Sequence, residues 1–272
     1  MRKETKGMII SSSCEGILTW DKQVALAEKT GLSLAQIENA AYDSGIVPLR
    51  YKRNLDALSL VEQALLLNSR VTVVGCGGLG GWALQELARV GVGTICAWDY
   101  DSFEESNLNR QNLAYFSDIG QPKVDVAALV LKSINPAVEF IGLKRRFVGE
   151  PDEGLLAGTR VVIDALDNAG SRLALAAVCR KLDLPLIHGA VHGWGGQLCT
   201  QFPEDNNIEK IYENYYVNQR STTPSVLSFV PAALASLQVA EAVKVILGRG
   251  EILRNRLLIL NMLDMDIDIL DL

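Results

Sequence analysis

A β-branched run, Val71-Thr-Val-Val74, breaks into Gly75-Cys-Gly-Gly-Leu-Gly80 and leaves as a helical pattern. A strand that enters a glycine turn and continues as a helix opens a parallel sheet, because parallel neighbours need a crossover element to bring the chain back to the same edge. Strands and helices alternate from there to about residue 200. The pattern predicts strands near 71–75, 94–99, 138–143, 160–165 and 185–191, with helices near 79–90, 122–134 and 168–182. Pro122 suits the first turn of its helix. The expected fold class is α/β with a mostly parallel sheet.

The flanks read differently. Residues 17–69 are predicted helical: Trp20 to Lys29 stops at Gly31, and Ser33-Leu-Ala-Gln36 is a capping box opening a second helix that stops near Gly45. Asn54 to Asn68 reads as a third helix, with Ser59 and Glu62 as a capping signal inside it. The helix, glycine turn and helix at 25–40 are also spaced like a DNA reader. Its second helix, however, carries Glu38 and Asp43 and no Lys or Arg, so it would repel phosphates. Downstream, Pro203 to Ser225 is polar and aperiodic, which predicts a mobile functional loop. Pro231 to Gly248 is expected as an amphipathic helix, and Leu257 to Met262 as a strand. Asp264-Met-Asp-Ile-Asp-Ile-Leu-Asp271 alternates acid and apolar residues, as a half-buried strand with an acidic outer face would. The division that follows is a helical N-terminal appendage at 1–47 and a nucleotide-binding domain at 48–272, with a crossover loop at about 203–225.

Charge and cysteine usage exclude whole classes of function. With 26 basic against 32 acidic residues in 272, the net charge is −6, so the chain as a whole is no glove for nucleic acid. Five scattered cysteines without a C-x-x-C pair suggest a reduced, cytoplasmic protein. The apolar run Met8 to Ile10 is too short for a signal peptide. Val226 to Gly248 is interrupted by Ser228, Gln238, Glu241 and Lys244, so no membrane span is expected.

The glycine turn fits G-x-G-x-x-G, and Asp99 closes the next strand 19 residues after Gly80. Glycines let the backbone approach a phosphate, the helix N-terminus presents N–H groups, and a strand-end acid accepts from ribose hydroxyls. That much also suits a nicotinamide or flavin oxidoreductase. The residues that follow are more specific: Asp99-Tyr-Asp-Ser-Phe-Glu-Glu-Ser-Asn-Leu-Asn-Arg-Gln111, then Gly120-Gln-Pro-Lys123, then Asp164-Ala-Leu-Asp-Asn168 at the end of a later strand. Together with Arg50-Tyr-Lys-Arg-Asn54, these motifs resemble the adenylating domain of the ubiquitin-activating-enzyme superfamily, in particular its bacterial MoeB/ThiF/HesA branch, over about residues 48–262. The final Asn54 stands where the family's R-Y-x-R-Q segment has Gln.

The resemblance implies a Rossmann-like sheet and ATP-dependent adenylylation of the C-terminal glycine of a small ubiquitin-like sulfur-carrier protein ending in Gly-Gly. Gly75, Gly77, Gly78 and Gly80 would seat ATP and Asp99 the ribose. Asn107, Arg110, Gln111 and Lys123 would bind phosphates, Asp167 would hold Mg²⁺, and Arg53 would reach across a homodimer as an arginine finger. Physics is consistent with that set, because attack on an α-phosphate expels pyrophosphate and its growing charge needs cations and fixed N–H donors. Taken singly, Arg110 and Lys123 could be solvated charges, and Asp164 or Asp167 could cap the helix near Asn168. Two departures matter. Without the family's paired C-x-x-C ligands no structural zinc is expected, and His188 and His192 on one strand would lie about 13 Å apart, too far to share a metal. Without a cysteine in Pro203 to Gly250, a separate sulfur donor is implied. A tRNA threonylcarbamoyl-adenosine cyclase of the same fold and a nicotinamide-dependent oxidoreductase are the alternatives.

Overall fold

The computed structural model describes residues 3–149, 154–212 and 225–272. Its helices are α1 (Lys3–Ser12), α2 (Trp20–Thr30), α3 (Leu34–Tyr42), α4 (Leu60–Leu67), α5 (Gly78–Val90), α6 (Lys123–Ile134), α7 (Ala169–Lys181), α8 (Asn207–Tyr212) and α9 (Phe229–Leu247). Its strands are β1 (Ile17–Leu18), β2 (Val47–Pro48), β3 (Arg70–Val74), β4 (Thr94–Trp98), β5 (Glu139–Leu143), β6 (Val161–Asp164), β7 (Leu186–His192), β8 (Gly195–Gln201), β9 (Arg256–Asn261) and β10 (Asp266–Asp271). β1 and β2 form a short parallel pair, and the other eight strands form one sheet in the order β10-β9-β8-β7-β6-β3-β4-β5.

Within that sheet β3 to β7 run parallel, whereas β8, β9 and β10 are antiparallel additions. The expected mostly parallel α/β sheet with an antiparallel C-terminal extension is what the chain forms. Alternation along the strands builds two layers. Val71 and Val73 of β3, Ile95 of β4 and Ile163 of β6 face α5, α6 and α9. Val74, Cys96, Trp98 and Val162 face α7 and α8. Each fully buried leucine in such a layer, Leu84 and Leu87 of α5 among them, contributes roughly 2 kcal/mol. α9 is long and apolar enough to cross a membrane by length and composition, but half of it is buried, and it packs on α5, β7 and β8 as a core helix does.

The chain leaves β3 for β4 on one side and β6 for β7 on the other, so the strand order reverses between β3 and β6. In open α/β sheets the crevice outside the carboxyl ends at such a reversal is where ligands bind.

The N-terminal helices collect an apolar cluster of their own, around Ile9, Leu18, Leu26, Ile37 and Ile46. Arg50 clasps it to the sheet domain. The guanidinium lies 2.6 Å from buried Glu38, donates to Gln23 Oε1 at 3.0 and 3.2 Å and to Asn135 Oδ1 at 3.2 Å, and sits 5.2 Å over both Trp20 and Tyr51. Burial pushes the Glu38 carboxyl up to about 7 against the opposing pull of Arg50. In α3 the face with Ile37, Glu38, Ala41 and Tyr42 is buried, which removes it as a groove-reading surface.

Four local expectations are corrected. The helix expected over Asn54 to Asn68 is only Leu60–Leu67: Ser59 is its N-cap, with both bonds of the capping box to Glu62, so that signal marks the start. Residues 49–54 form a 3₁₀ turn instead, and Asp56 has φ +76°. Within the polar segment, 207–212 is helical and buries Asn207, Ile208 and Tyr212, and 213–224 lies outside the described residues. β10 is exposed at every position, because among the described residues it pairs only with β9 and no helix covers it. The cap of α7 is Asn168, which accepts the Ser171 N–H at 2.9 Å, so neither Asp164 nor Asp167 serves that purpose.

Candidate active site

The crevice between β3 and β6 holds a cavity of about 370 Å³, within the range of ligand pockets. Its floor is the glycine turn. Gly75 has φ +104°, and a Cβ there would stand 2.5 Å from the Ala165 carbonyl oxygen. A Cβ on Gly80 would overlap the Gly75 carbonyl. These two glycines are required by the close approach of β3, β6 and α5. Gly77 and Gly78 are different, since a Cβ would meet nothing nearer than 3.6 Å and 3.4 Å respectively, and both line the cavity. Their bareness leaves backbone N–H groups open to a ligand at the start of α5.

Asp99 follows β4 and binds this turn from the side: its Oδ2 accepts the Cys76 N–H at 2.7 Å and its Oδ1 the Asp101 N–H at 2.8 Å. Burial pushes its carboxyl up, opposed by Lys123 and those two N–H groups. The chain after Asp101 loops out and returns, with Lys123 N–H on the Asp101 carbonyl at 3.0 Å. That return buries the first residue of α6 at the cavity wall, with Lys123 Nζ 3.4 Å from Asp101 Oδ2.

Asn107 lies away from the cavity lining. Its Oδ1 accepts the Glu104 N–H at 3.1 Å, and its carbonyl accepts the Arg110 and Gln111 N–H groups at 3.1 and 2.9 Å. Asn107 thereby holds the turn that presents Arg110 and Gln111, both of which line the cavity. Arg110 Nη1 donates to the Ser106 carbonyl and to Asn109 Oδ1, each at 2.9 Å. Gln111 is buried beside Gly77, and its Oε1 has no hydrogen-bond partner among the described residues. A buried acceptor left open in a polar wall calls for a ligand donor or water.

Across the crevice, Asp167 is exposed to the cavity after β6, with Oδ1 accepting from Asn168 Nδ2 at 3.1 Å. Arg53 is exposed in the 49–54 turn and is not among the lining residues. His188 is buried and His192 exposed, and no group of three or more His, Cys, Asp or Glu suited to a metal occurs among the described residues.

The structure adds residues that sequence reasoning passed over. Arg145 and Arg146, directly after β5, line the cavity, and Arg146 lies 5.4 Å over the Tyr100 ring. Arg172, Ser171 and Asn168 bring in the first turn of α7. The signal for the first pair was legible, because Lys144-Arg-Arg146 directly follows the strand expected at 138–143 and so falls on the sheet's carboxyl edge, like Asp99. In all, five cations and three acids line the cavity, and the N-termini of α5 and α7 point into it. On a chain of net charge −6 this is a focused anion site. It can hold a polyphosphate and stabilise charge on a departing oxygen.

The ThiF family profile matches residues 51–272. The SAMP-activating enzyme E1 of Haloferax volcanii is 38% identical over 222 residues, covering 79% of this chain and 82% of that protein. The sulfur carrier protein ThiS adenylyltransferase of Escherichia coli is 36% identical over 205 residues, covering 74% and 82%. Among solved structures, E. coli MccB with ATP has a TM-score of 0.72 at 19% identity, covering 98% of this chain and 86% of that one, a likeness of fold.

Proposed function

The chain belongs to the ThiF family, and we propose that it is an adenylyltransferase that activates the C-terminal glycine carboxylate of a small ubiquitin-like sulfur-carrier protein with ATP. A carboxylate oxygen attacks the α-phosphorus, the bond to the bridging oxygen breaks, and pyrophosphate leaves with its electron pair. The observation that carries this reading is the cation-rich cavity between two helix N-termini, in a chain whose relatives are named for the same chemistry. Oxidoreduction on a dinucleotide would need no such concentration of cations around one phosphate group.

In this reading Gly75, Gly77, Gly78 and Gly80 shape the turn under ATP, Asp99 takes the ribose, and Arg110, Gln111 and Lys123 take the phosphates. Asn107 acts through the turn it closes. Asp167 fits Mg²⁺, which is commonly bound by one or two carboxylates plus substrate phosphates. When bound, that ion would neutralise charge on the phosphates. Arg53 is supplied by a second copy in a homodimer. The carrier's tail is received beside the 203–225 segment. Acyl-adenylate is consumed by a separate sulfur donor. Burial pushes the Cys76, Cys96, Cys179 and Cys199 thiols up, away from the thiolate a relay would need.

The test is to capture a small Gly-Gly-ending protein and then measure ATP–pyrophosphate exchange with it. Exchange that requires the partner is the expected result. Binding of a nicotinamide dinucleotide in preference to ATP, or adenylation of tRNA alone, would replace this reading.

A further inference from the structure

Behind the Asp167 wall lies a buried polar cluster in which Asp164, His188 and Tyr212 have no part in the proposed chemistry and Arg172 alone also reaches the cavity. His188 on β7 sits in register with Asp164 on β6, and both side chains are fully buried. His188 Nδ1 is 2.7 Å from Asp164 Oδ2, while Asp164 Oδ1 accepts the Leu166 N–H at 3.0 Å. Arg172, in the first turn of α7, donates from Nη2 to the Leu166 carbonyl at 2.6 Å and from Nη1 to Tyr212 Oη at 2.6 Å. Its Nε stands 3.9 Å from Asp164 Oδ2. On the far side of the imidazole, Tyr212 Oη is 3.3 Å and Gln197 Nε2 3.4 Å from His188 Nε2. Gln238 Nε2 closes the set on the Asp164 carbonyl at 2.9 Å.

The partner on the Asp164 side sets the tautomer. Asp164 as a carboxylate only accepts, so His188 Nδ1 carries the proton and donates to it. Arg172 Nη1 donates to Tyr212 Oη, and the Tyr212 hydroxyl and Gln197 Nε2 both stand within donor reach of His188 Nε2. Burial holds the His188 pKa below its ordinary value, in keeping with a neutral ring. Arg172 supplies the charge that compensates Asp164. Leu166 is thus gripped at both its N–H and its carbonyl, one residue before Asp167.

We infer that His188 is a positioning residue for the adenylation reaction: a neutral imidazole, protonated on Nδ1, that fixes the Asp164 carboxylate and through Leu166 the placement of Asp167 at the cavity. The inference rests on the adenylation reading above. A ring bound this way acts as outer partners of a reactive carboxylate commonly do, and their removal costs about 10–100-fold in activity.

The experiment compares His188→Asn, whose amide can imitate the Nδ1–H donor, with His188→Gln, whose amide reaches the Nε2 position instead. The whole chain contains only two histidines, so ¹⁵N-histidine NMR of the full-length protein reads both rings directly, with exposed His192 as reference. The wild type should show His188 as the Nδ1–H tautomer at and above neutral pH. His188→Gln should lower kcat for carrier-dependent pyrophosphate exchange about 10–100-fold with ATP KM unchanged, and His188→Asn should recover most of it. In an Asp167→Asn background, His188→Gln should cost nothing further, since both act through one carboxylate. If the Gln variant does not fold, Tyr212→Phe provides the second handle. It removes the Tyr212 hydroxyl from the Nε2 side of the ring and should lower kcat, again without moving KM. An Nε2–H or cationic ring in the wild type, a folded Gln variant with wild-type kcat, or equal losses in the Gln and Asn variants would overturn the role. A wild type without carrier-dependent exchange would instead overturn the adenylation reading itself and this role with it.

Discussion

Alanine at Gly75 and alanine at Gly78 should fail in opposite ways, although both glycines sit in one turn. Gly75 has φ +104°, and its new Cβ would stand 2.5 Å from the Ala165 carbonyl oxygen and 3.0 Å from its carbon. Neither neighbour can swing aside, because both are backbone of the strand end after β6. Strain in that region of φ costs about 1–3 kcal/mol, and a forced contact of this kind a similar amount. A combined loss of about 3 kcal/mol, at about 2–4 °C per kcal/mol for a chain approaching this size, lowers Tm by about 6–12 °C. Gly78 begins α5, and its Cβ would meet Pro231 Cβ at 3.4 Å and the Arg110 carbonyl at 3.6 Å, ordinary contacts. Alanine there favours the helix, so Tm should hold or rise slightly. The methyl stands at the cavity wall, however, and should weaken ATP binding by about tenfold, the 1.4 kcal/mol of one displaced contact region. Thermal melts and calorimetric titration with ATP separate the two effects. A Gly75→Ala protein as stable as wild type, or a Gly78→Ala protein that binds ATP normally, would refute the division of the turn into folding and binding glycines.

Arg53→Ala and Asp167→Ala enzymes should each lose at least about 10²-fold in pyrophosphate exchange. Mixed heterodimers should regain activity in the one site that keeps both residues, and persistent inactivity in verified heterodimers would remove Arg53 from the partner's site. Arg146→Ala should raise the KM for ATP with little change in kcat, since Arg146 lines the mouth of the cavity against Tyr100; an unchanged KM would make that pair structural. Glu38, with an ordinary value of 4.5, is pushed up to about 7 in the fold. The folded chain therefore holds a proton that the unfolded chain releases between those values, so stability falls as pH rises through that window and levels off above it. The span corresponds to about 3 kcal/mol, and melts of wild type against Glu38→Gln from about pH 4.5 to 7.5 should diverge accordingly, whereas parallel curves would contradict the assignment.

The parallel core was legible because β-branched runs and glycine turns announce it locally, and β3 to β7 fall within a residue or two of the expected strands. β8 was not. Gly195-Gly-Gln-Leu-Cys-Thr-Gln201 has neither β-branched enrichment nor clean alternation, and it is a strand because β7 and β9 pair with it on both sides. The alternation in β10 was read correctly as a strand and wrongly as half-buried, since alternation reports burial only where a second layer exists to cover one face. At the site, the residues named from motifs mostly meet: the glycine turn, Asp99, Arg110, Gln111, Lys123 and Asp167 border one crevice. Asn107 proved to support its neighbours from outside the wall. Arg53 does not line that crevice. Asp164 and His188 stood out in the sequence, one in the Asp164–Asn168 motif and the other in the His188–His192 spacing, but their meeting with Arg172 and Tyr212 had no sequence signal, because the four come from two strands and two helices that only the folded sheet brings together.

The most direct measurement is the covalent state of the carrier's C-terminus after a single turnover with ATP. The account predicts a carrier heavier by one adenylyl group on the terminal glycine carboxylate, which hydroxylamine converts to the glycyl hydroxamate with release of AMP, and no such product when the terminal glycine is deleted or Asp167 is replaced by Ala. A carrier that stays unmodified while the enzyme consumes ATP, or AMP found on any group other than that carboxylate, would contradict it.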